Sequence, residues 1–275
     1  EATEEKPYFL FVIKDASGSE VQKITSEAKA GINKVVWNYR YTTTTPIKLK
    51  EIKPDRIVFT GDLVHSKNQM TPELIRLLSW WMTETAKICP TIYLIGNHDF
   101  LENNQDRLDA ITPIVENLNN PNITYYKNKG CYEDENIMWC VYSLVEENER
   151  PEIPDTDKVK VGLFHGAIVG LKTDIGFEFE DGYDSEIFEG CDVVLAGDIH
   201  KRQIFDIPNG NKAYMVGSTI CQNYGENIKN HGYGILNMED FLYTFKDLEN
   251  PQPFLSFKIT DIIDIENEKE ILTND

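Results

Sequence analysis

The sequence contains little cysteine. Five cysteines are scattered over 275 residues, and no two of them are close enough to form a CxxC pair. An odd number without a repeating pattern argues against a disulfide framework and against a structural zinc site. Reduced, mostly buried thiols of this kind are typical of a cytoplasmic protein.

Long apolar runs are also missing. None is long enough to cross a bilayer, which argues against a membrane-spanning segment in this chain. Residues 1–6 lack the basic and apolar regions of a secretory signal peptide. Because the chain starts without Met, we expect a fragment or a processed product.

Basic residues are outnumbered. The 27 Lys and Arg residues face 46 Asp and Glu residues, which gives a net charge of -19. A nucleic-acid-binding protein usually presents a basic surface, so this composition disfavours broad electrostatic binding of that kind. Lys201 and Arg202 form a local basic pair that could contact phosphates, but a solvated charged pair explains them equally well.

The chain changes character near residue 47. Residues 1–46 have the alternation and turn residues of β structure. Residues 47–250 first alternate short buried strands with helical patterns and, from Ile123 onward, are mostly strands. The N-terminal part contains predicted strands over 8–13, 21–25 and 33–39, a turn over Asp15–Ser19 and a linker over 42–46. Residues 251–275 form an acidic tail or the start of a truncated region.

Four polar stretches follow aliphatic runs, where buried strands are expected to end. They are Gly61-Asp62, Gly96-Asn97-His98-Asp99, His165-Gly166 and Gly197-Asp198-Ile199-His200. A helix is predicted from Thr71, which offers a hydroxyl N-cap before Pro72, and a second helix over 106–118. This strand–helix–strand order predicts an α/β fold with a parallel sheet.

The residue types in these stretches suit a divalent metal. Asp62 and Asp198 offer carboxylates, and a carboxylate can bridge two cations. Asn97 offers a neutral amide oxygen, and His165 and His200 offer imidazole nitrogens. Such donors predict metal-assisted hydrolysis of a phosphoester, in which two metals activate a water and contact the phosphate.

His98 and Asp99 are the predicted catalytic residues. His98 would face the scissile phosphate and protonate the leaving oxygen or stabilise charge. Asp99 would orient that imidazole or cap the following turn. His65 fits a phosphate contact or a structural role, and His231 fits a structural role better than a chemical one.

The order of the motifs resembles that of the calcineurin-like metallophosphoesterases. The family pattern is D-x-H, G-D, G-N-H-[DE], H and G-H-x-H, and the last four motifs fall on Asp62, Asn97-His98, His165 and Asp198-Ile199-His200. Asp198 replaces the first histidine of the closing motif and can still ligate a metal. Within the family, residues 61–66, 197–203 and 217–226 resemble SbcD-type, meiotic-recombination-type repair nucleases, especially phage-like ones.

The resemblance implies a fold and an activity. The expected fold is a metallophosphoesterase β-sandwich of two mixed sheets flanked by helices, here with an N-terminal β extension. The expected activity is a DNA exonuclease or endonuclease in repair or recombination, using Mn²⁺, with an SbcC/Rad50-type ATPase partner and a homodimer. A phosphatase or cyclic-nucleotide phosphodiesterase of the same superfamily is the alternative.

The first family motif, D-x-H, is missing. Asp15 is the only candidate for its aspartate, and Ser17 stands where the histidine is expected. Residues 8–41 instead resemble bacterial Ig-like β modules, so residues 1–46 are expected to be foreign to the esterase. One metal would then keep only Asp62 and His200, which predicts one well-formed and one incomplete metal site. An inactive metal-binding scaffold is the third hypothesis.

Overall fold

The structure is a computed structural model that describes residues 8–14, 20–27, 52–101, 103–104, 107–146, 149–250 and 254. The chain divides into two compact units. One contains residues 47–219 and 229–248, and the other contains residues 1–46, 220–228 and 249–275. Asp15, the predicted strand over 33–39, the linker over 42–46 and residues 255–275 of the predicted tail lie outside the described residues.

The second unit contains an antiparallel hairpin. Strand β1 spans Tyr8–Lys14 and pairs with β2, which spans Glu20–Glu27. These are the strands predicted over 8–13 and 21–25. The register shifts between Ile13 and Lys14, at the end of β1.

Among its described residues, the first unit places helices beside a three-stranded sheet. Strands β3, β4 and β5 span Ile57–Phe59, Thr91–Leu94 and Ile123–Tyr126, and they are parallel in that order. Helix α1 spans Pro72–Ala86, with the Thr71 hydroxyl accepting from the Leu74 amide, and α2 spans Thr112–Leu118. The parallel order places the ends of all three strands at one edge of the sheet.

A six-stranded mixed sheet forms the other main layer, in the order β10-β11-β9-β8-β7-β6. Its central strands β7, β8, β9 and β11 are parallel, and antiparallel strands flank them. The strands span Gly130–Asp134 (β6), Ile137–Tyr142 (β7), Val159–His165 (β8), Val193–Gly197 (β9), Gln203–Asp206 (β10) and Lys212–Met215 (β11). A separate antiparallel pair follows, β12 over Gly232–Leu236 and β13 over Tyr243–Asp247.

Three apolar clusters hold these layers together. One lies between the two sheets and includes Leu94, Val141, Leu163 and Leu195. A second packs α1 and α2 against Tyr93 of β4, and a third covers the far face of the six-stranded sheet around Phe188. Burial of this apolar surface is the main force that fixes the sandwich and hence the loops at its edge.

The sandwich differs from the predicted one in two details. The smaller sheet is parallel throughout its three strands, and the far face of the larger sheet is covered by residues 166–190, which include a 3-10 helix over Ser185–Phe188. The α/β sandwich itself is confirmed. No helix within the described ranges combines the length and the apolar character that a membrane span requires.

The second helix is shorter than predicted. It begins at Thr112 rather than at residue 106 because the Asp109 carboxylate accepts hydrogen bonds from the amides of Ile111 and Thr112, at 2.9 and 2.7 Å. Pro113 then occupies the first turn. A carboxylate that accepts from the first free amides favours the start of a helix at that point.

Candidate metal centre

Four strands deliver the candidate ligands to one edge of the sandwich. Asp62 follows β3 by three residues, Asn97 follows β4 by three, His165 is the last residue of β8, and Asp198 directly follows β9. Because β3 is parallel to β4 and β8 is parallel to β9, the carboxyl ends of each pair lie together. The strand ends therefore bring together residues as far apart in the sequence as Asp62 and Asp198.

His165 is the centre of the arrangement. Its Nδ1 lies 2.6 Å from the Thr60 carbonyl oxygen, which can only accept, so Nδ1 carries a proton and donates it. Its Nε2 lies 3.3 Å from Asp62 Oδ1, 3.3 Å from Asn97 Oδ1 and 3.7 Å from Asp198 Oδ1. Three oxygen atoms thus converge on one imidazole nitrogen.

The protonation of His165 is coupled to that of Asp62 and Asp198. Burial alone would lower the pKa of His165, but its hydrogen bond with Asp62 and the charges of Asp62 and Asp198 outweigh burial and raise that pKa. Burial alone would raise the pKa of Asp62, but His165 and the His98 amide lower it. Burial and the charge of Asp62 raise the pKa of Asp198, although His165 opposes them.

Both carboxylates sit on strained backbone. Asp62 has φ of +55° and Asp198 has φ of +96°, a region that residues with a β-carbon seldom occupy. Such conformations persist only where surrounding structure holds them, and they are concentrated at functional sites.

The Gly96–Asp99 turn is tied to the Asp62 turn. The His98 amide donates to Asp62 Oδ1 at 3.0 Å, and the Lys67 ammonium donates to the Asn97 carbonyl at 2.8 Å. Lys67 was not among the residues singled out from the sequence, because a lysine in a polar loop carries no distinguishing signal. These contacts orient the Asn97 amide toward His165.

The imidazoles of His65 and His98 lie together at the surface of the site. Nδ1 of His98 is 2.6 Å from the His65 carbonyl, so Nδ1 donates and Nε2 is directed away from that bond. The two rings are stacked with their centroids 5.5 Å apart. His98 is therefore held by its neighbour in a fixed orientation.

Asp99 is buried, and its carboxylate accepts hydrogen bonds from the backbone of two turns. One carboxylate oxygen accepts from the Gly96 amide at 2.8 Å, and the other accepts from the Val64 amide at 3.1 Å. Burial raises the pKa of Asp99 to about 7, although both amides pull it down. These contacts resemble the predicted capping of a turn, but the amides that Asp99 accepts from belong to the turn before it and to the turn after Asp62 rather than to the turn that follows Asp99.

The remaining candidates have mixed surroundings. His200 is half-buried, and it is not one of the three residues, Asp62, His165 and Asp198, whose ligand atoms lie within 4.8 Å of one another. Arg202 is not arranged for phosphate binding, because its guanidinium bonds the Asn230 carbonyl at 2.6 Å and Asp247 at 2.6 Å and lies over the Phe245 ring. His231 is buried, as a structural histidine would be.

The donor set fits a divalent cation. The ligand atoms of Asp62, His165 and Asp198 all lie within 4.8 Å of one another, and the Asn97 oxygen joins them. A proton on His165 Nε2 can satisfy only one of three oxygens at a time, whereas a divalent cation can contact all of them and the nitrogen. Mixed oxygen and imidazole donors suit Mn²⁺, Zn²⁺ or Fe²⁺ better than thiol-selective ions.

Comparison with known proteins agrees with this geometry. Residues 36–202 match the model of the calcineurin-like phosphoesterase family. An uncharacterized protein of Acanthamoeba polyphaga mimivirus is 33% identical over 256 residues, which is 86% of this chain and 18% of that protein. The DNA double-strand break repair protein Mre11 of Methanococcus maripaludis is 24% identical over 200 residues, which is 68% of this chain and 52% of that protein. The chain thus spans less than two thirds of either relative.

Proposed function

The chain belongs to the calcineurin-like phosphoesterase family, and we propose that it is a divalent-metal-dependent phosphodiester hydrolase that cleaves DNA as an exonuclease or endonuclease. The observation that carries the proposal is the convergence of Asp62, Asn97 and Asp198 on Nε2 of His165. The similarity to a protein named for DNA double-strand break repair supports DNA as the substrate class.

We assign the metal ligands as Asp62, Asn97, His165, Asp198 and His200. A bound divalent metal supplies a Lewis acid for a phosphate oxygen and lowers the pKa of bound water. The Thr60 carbonyl holds the His165 ring so that Nε2 is presented to the centre, as such outer partners do in metal sites. Asp62 would be the bridging ligand, as the resemblance to the family implies; its Oδ1 lies 3.3 Å from Nε2 of His165 and accepts from the His98 amide.

His98 is the assigned proton donor. When water attacks the phosphorus, the bond to the leaving oxygen breaks, and that oxygen needs a proton. The His65 carbonyl fixes Nδ1 of His98, so Nε2 is the nitrogen available to donate. Asp99 supports this step by holding the turns on both sides of His98 rather than by touching the ring.

The finer proposals rest on the sequence and on its resemblance to SbcD-type nucleases. We propose Mn²⁺ as the metal, an SbcC/Rad50-type ATPase as a partner, a homodimer and a cytoplasmic location. We also propose residues 47–250 as the catalytic domain, with residues 1–46 as a β extension and residues 251–275 as an acidic tail. With a net charge of -19, contact with DNA must come from local basic residues and from the metal, so we expect DNA binding to be weak.

Two other functions have support from specific observations. The family includes activities on small phosphoesters, so a phosphatase or cyclic-nucleotide phosphodiesterase is the second candidate. An inactive metal-binding scaffold is the third, because Ser17 replaces the histidine of the family's first motif. The candidate position for that motif, Asp15, lies outside the described residues.

One pair of substrates separates these functions. With Mn²⁺, the DNA nuclease hydrolyses a linear duplex, whereas a small-substrate enzyme hydrolyses only bis(4-nitrophenyl) phosphate. His98→Ala should lower the rate about 10²- to 10⁴-fold, which is the usual contribution of a general acid. Tyr142→Phe, which removes a buried hydroxyl bonded to the Ile187 carbonyl, is the control and should keep the rate. No Mn²⁺-stimulated hydrolysis of either substrate would favour the scaffold.

A further inference from the structure

We infer that His231 is a positioning residue for His200, and that it acts through the hydroxyl of Ser218. The inference rests on the proposed function because it assigns His200 to the metal. It gives a role to a histidine that the sequence indicated only as structural. It also explains how the last of the five assigned ligands is held.

A short chain of hydrogen bonds leads from His231 to His200. Nδ1 of His231 is 2.8 Å from the Ser218 hydroxyl oxygen, and the Ser218 amide donates to the His200 carbonyl at 2.9 Å. His231 is 3% exposed, so bulk water does not compete for its ring. The position of the ring is therefore transmitted through one residue to the backbone that carries His200.

The proton of the His231 ring is placed by a buried acid. Nε2 lies 3.9 Å from Asp174 Oδ2, and the Asp174 side chain is 7% exposed. This distance is too long for a hydrogen bond, but the charge of the carboxylate favours the tautomer with the proton on Nε2, in which Nδ1 can accept from the Ser218 hydroxyl. The hydroxyl then donates to the ring, and its direction is set.

The backbone of His231 is fixed as firmly as its ring. The Leu248 amide donates to the His231 carbonyl at 2.9 Å, and the Gly232 amide donates to the Ser218 carbonyl at 3.2 Å. These bonds anchor the segment to the β12–β13 pair. Hydrogen bonds therefore fix the backbone that carries the His231 ring.

The loop that carries His200 is held by Ser218 and by Asn230, the residue before His231. Ser218 bonds the His200 carbonyl, and the Asn230 carbonyl accepts from the Arg202 guanidinium at 2.6 Å. A β-carbon at Gly217 would lie 2.6 Å from the His200 carbonyl oxygen, so the loops are in direct contact. A change at His231 therefore reaches His200 without an intervening flexible element.

The test is the affinity of the intact chain for Mn²⁺, measured by titration calorimetry. His231→Ala should weaken the second, weaker Mn²⁺ binding event, to which His200 is assigned, by about 10- to 100-fold, as the loss of an outer partner usually does, and should leave the tight equivalent unchanged. His231→Asn should restore most of the affinity, because its amide oxygen can accept the Ser218 proton where Nδ1 did. Co²⁺ absorption spectra should change in His231→Ala and return toward wild type in His231→Asn.

Two controls separate positioning from general stability. Tyr142→Phe also removes a buried hydrogen bond, on the far face of the six-stranded sheet, and should leave Mn²⁺ affinity unchanged. Ser218→Ala removes only the hydroxyl and serves if His231→Ala fails to fold, and it should lower the affinity in the same direction.

Three outcomes would each overturn the inference. Wild-type affinity in both His231→Ala and Ser218→Ala would overturn the inference and leave the proposed function standing. Equal weakening by His231→Ala and His231→Asn would also overturn it, since packing alone would then explain the loss. A wild-type chain that binds no Mn²⁺ would overturn the proposed function together with the inference.

Discussion

Gly61 and His165 approach each other so closely that no side chain fits between them. A β-carbon at Gly61 would lie 2.2 Å from Nδ1 of His165, the nitrogen that donates to the Thr60 carbonyl. Gly61 also has φ of +103°, which disfavours any residue with a β-carbon. The glycine before Asp62 therefore serves the imidazole of another strand as well as its own turn.

Gly61→Ala should consequently displace the His165 ring and weaken Mn²⁺ binding more than about 10-fold, since the ring loses its outer partner. Gly176→Ala is the matched control, because Gly176 has φ of +84° and nothing within 4 Å of the added carbon. Both variants carry the strain of about 1–2 kcal/mol of a positive φ. Calorimetric titration of both variants measures the difference, and equal affinities would show that the close approach has no functional consequence.

Asp99→Asn should separate the bracing role of Asp99 from a chemical one. The amide nitrogen cannot accept a hydrogen bond, so either the Gly96 or the Val64 amide loses its partner. The free energy of unfolding should fall by about 1–3 kcal/mol, the usual cost of an unsatisfied buried group. Urea denaturation measures this change, and full stability combined with lost hydrolysis would instead indicate a direct chemical role.

The strand ends of the centre were accessible from sequence because short aliphatic runs precede each polar stretch. The runs before Asp62, Asn97, His165 and Asp198 are confirmed as β3, β4, β8 and β9. Parallel strands end at a common edge, so the pattern of runs was enough to predict that these side chains converge.

The groups that hold the candidate ligands in place could not be predicted from the sequence in the same way. The Thr60 carbonyl and the Val64 amide act through the backbone, which every residue possesses, so their sequence letters carry no signal. The start of α2 was misplaced because a helical pattern does not reveal that the Asp109 carboxylate takes the first amides. The sequence leaves open whether Arg202 contacts phosphate or belongs to a solvated charged pair. In the structure its guanidinium is occupied by Asp247 and Phe245.

Asp109→Ala should destabilise the protein through the start of α2. Its carboxylate accepts from the amides of Ile111 and Thr112, from the Thr112 hydroxyl and from the Tyr125 hydroxyl. Loss of a helix-start acceptor costs about 0.5–2 kcal/mol, and the buried Tyr125 hydroxyl adds to this. Thermal unfolding monitored by circular dichroism measures the change, and an unaltered midpoint would contradict the capping role.

The pair Arg56 and Asp134 should make stability depend on acid pH. Arg56 donates to both oxygens of Asp134, at 2.7 and 2.6 Å, which links the start of β3 to the end of β6. Arg56 holds the pKa of Asp134 below its usual range, although burial opposes this. A lowered folded pKa stabilises the protein above the unfolded value of about 3.9, and this contribution disappears as pH falls below it.

Asp134→Asn should therefore lower the free energy of unfolding by about 1–3 kcal/mol at pH 7, with a smaller difference from wild type below pH 4. Glu133→Gln is the control, since its ion pair with Lys158 is largely exposed and should contribute less than about 1 kcal/mol. Urea denaturation at both pH values measures the effect. A difference that does not depend on pH would contradict the assignment of the charge to Asp134.

The number of metal ions bound per chain tests the incomplete first motif. Asp62, Asn97, His165 and Asp198 surround one position, whereas a second metal would share Asp62 and keep His200 as its other assigned ligand. We expect one tight equivalent of Mn²⁺ by calorimetry and by native mass spectrometry. Asp62→Asn should abolish it, while Glu116→Gln, an exposed carboxylate on α2, should not change it. Two tight equivalents would show the one-site hypothesis wrong.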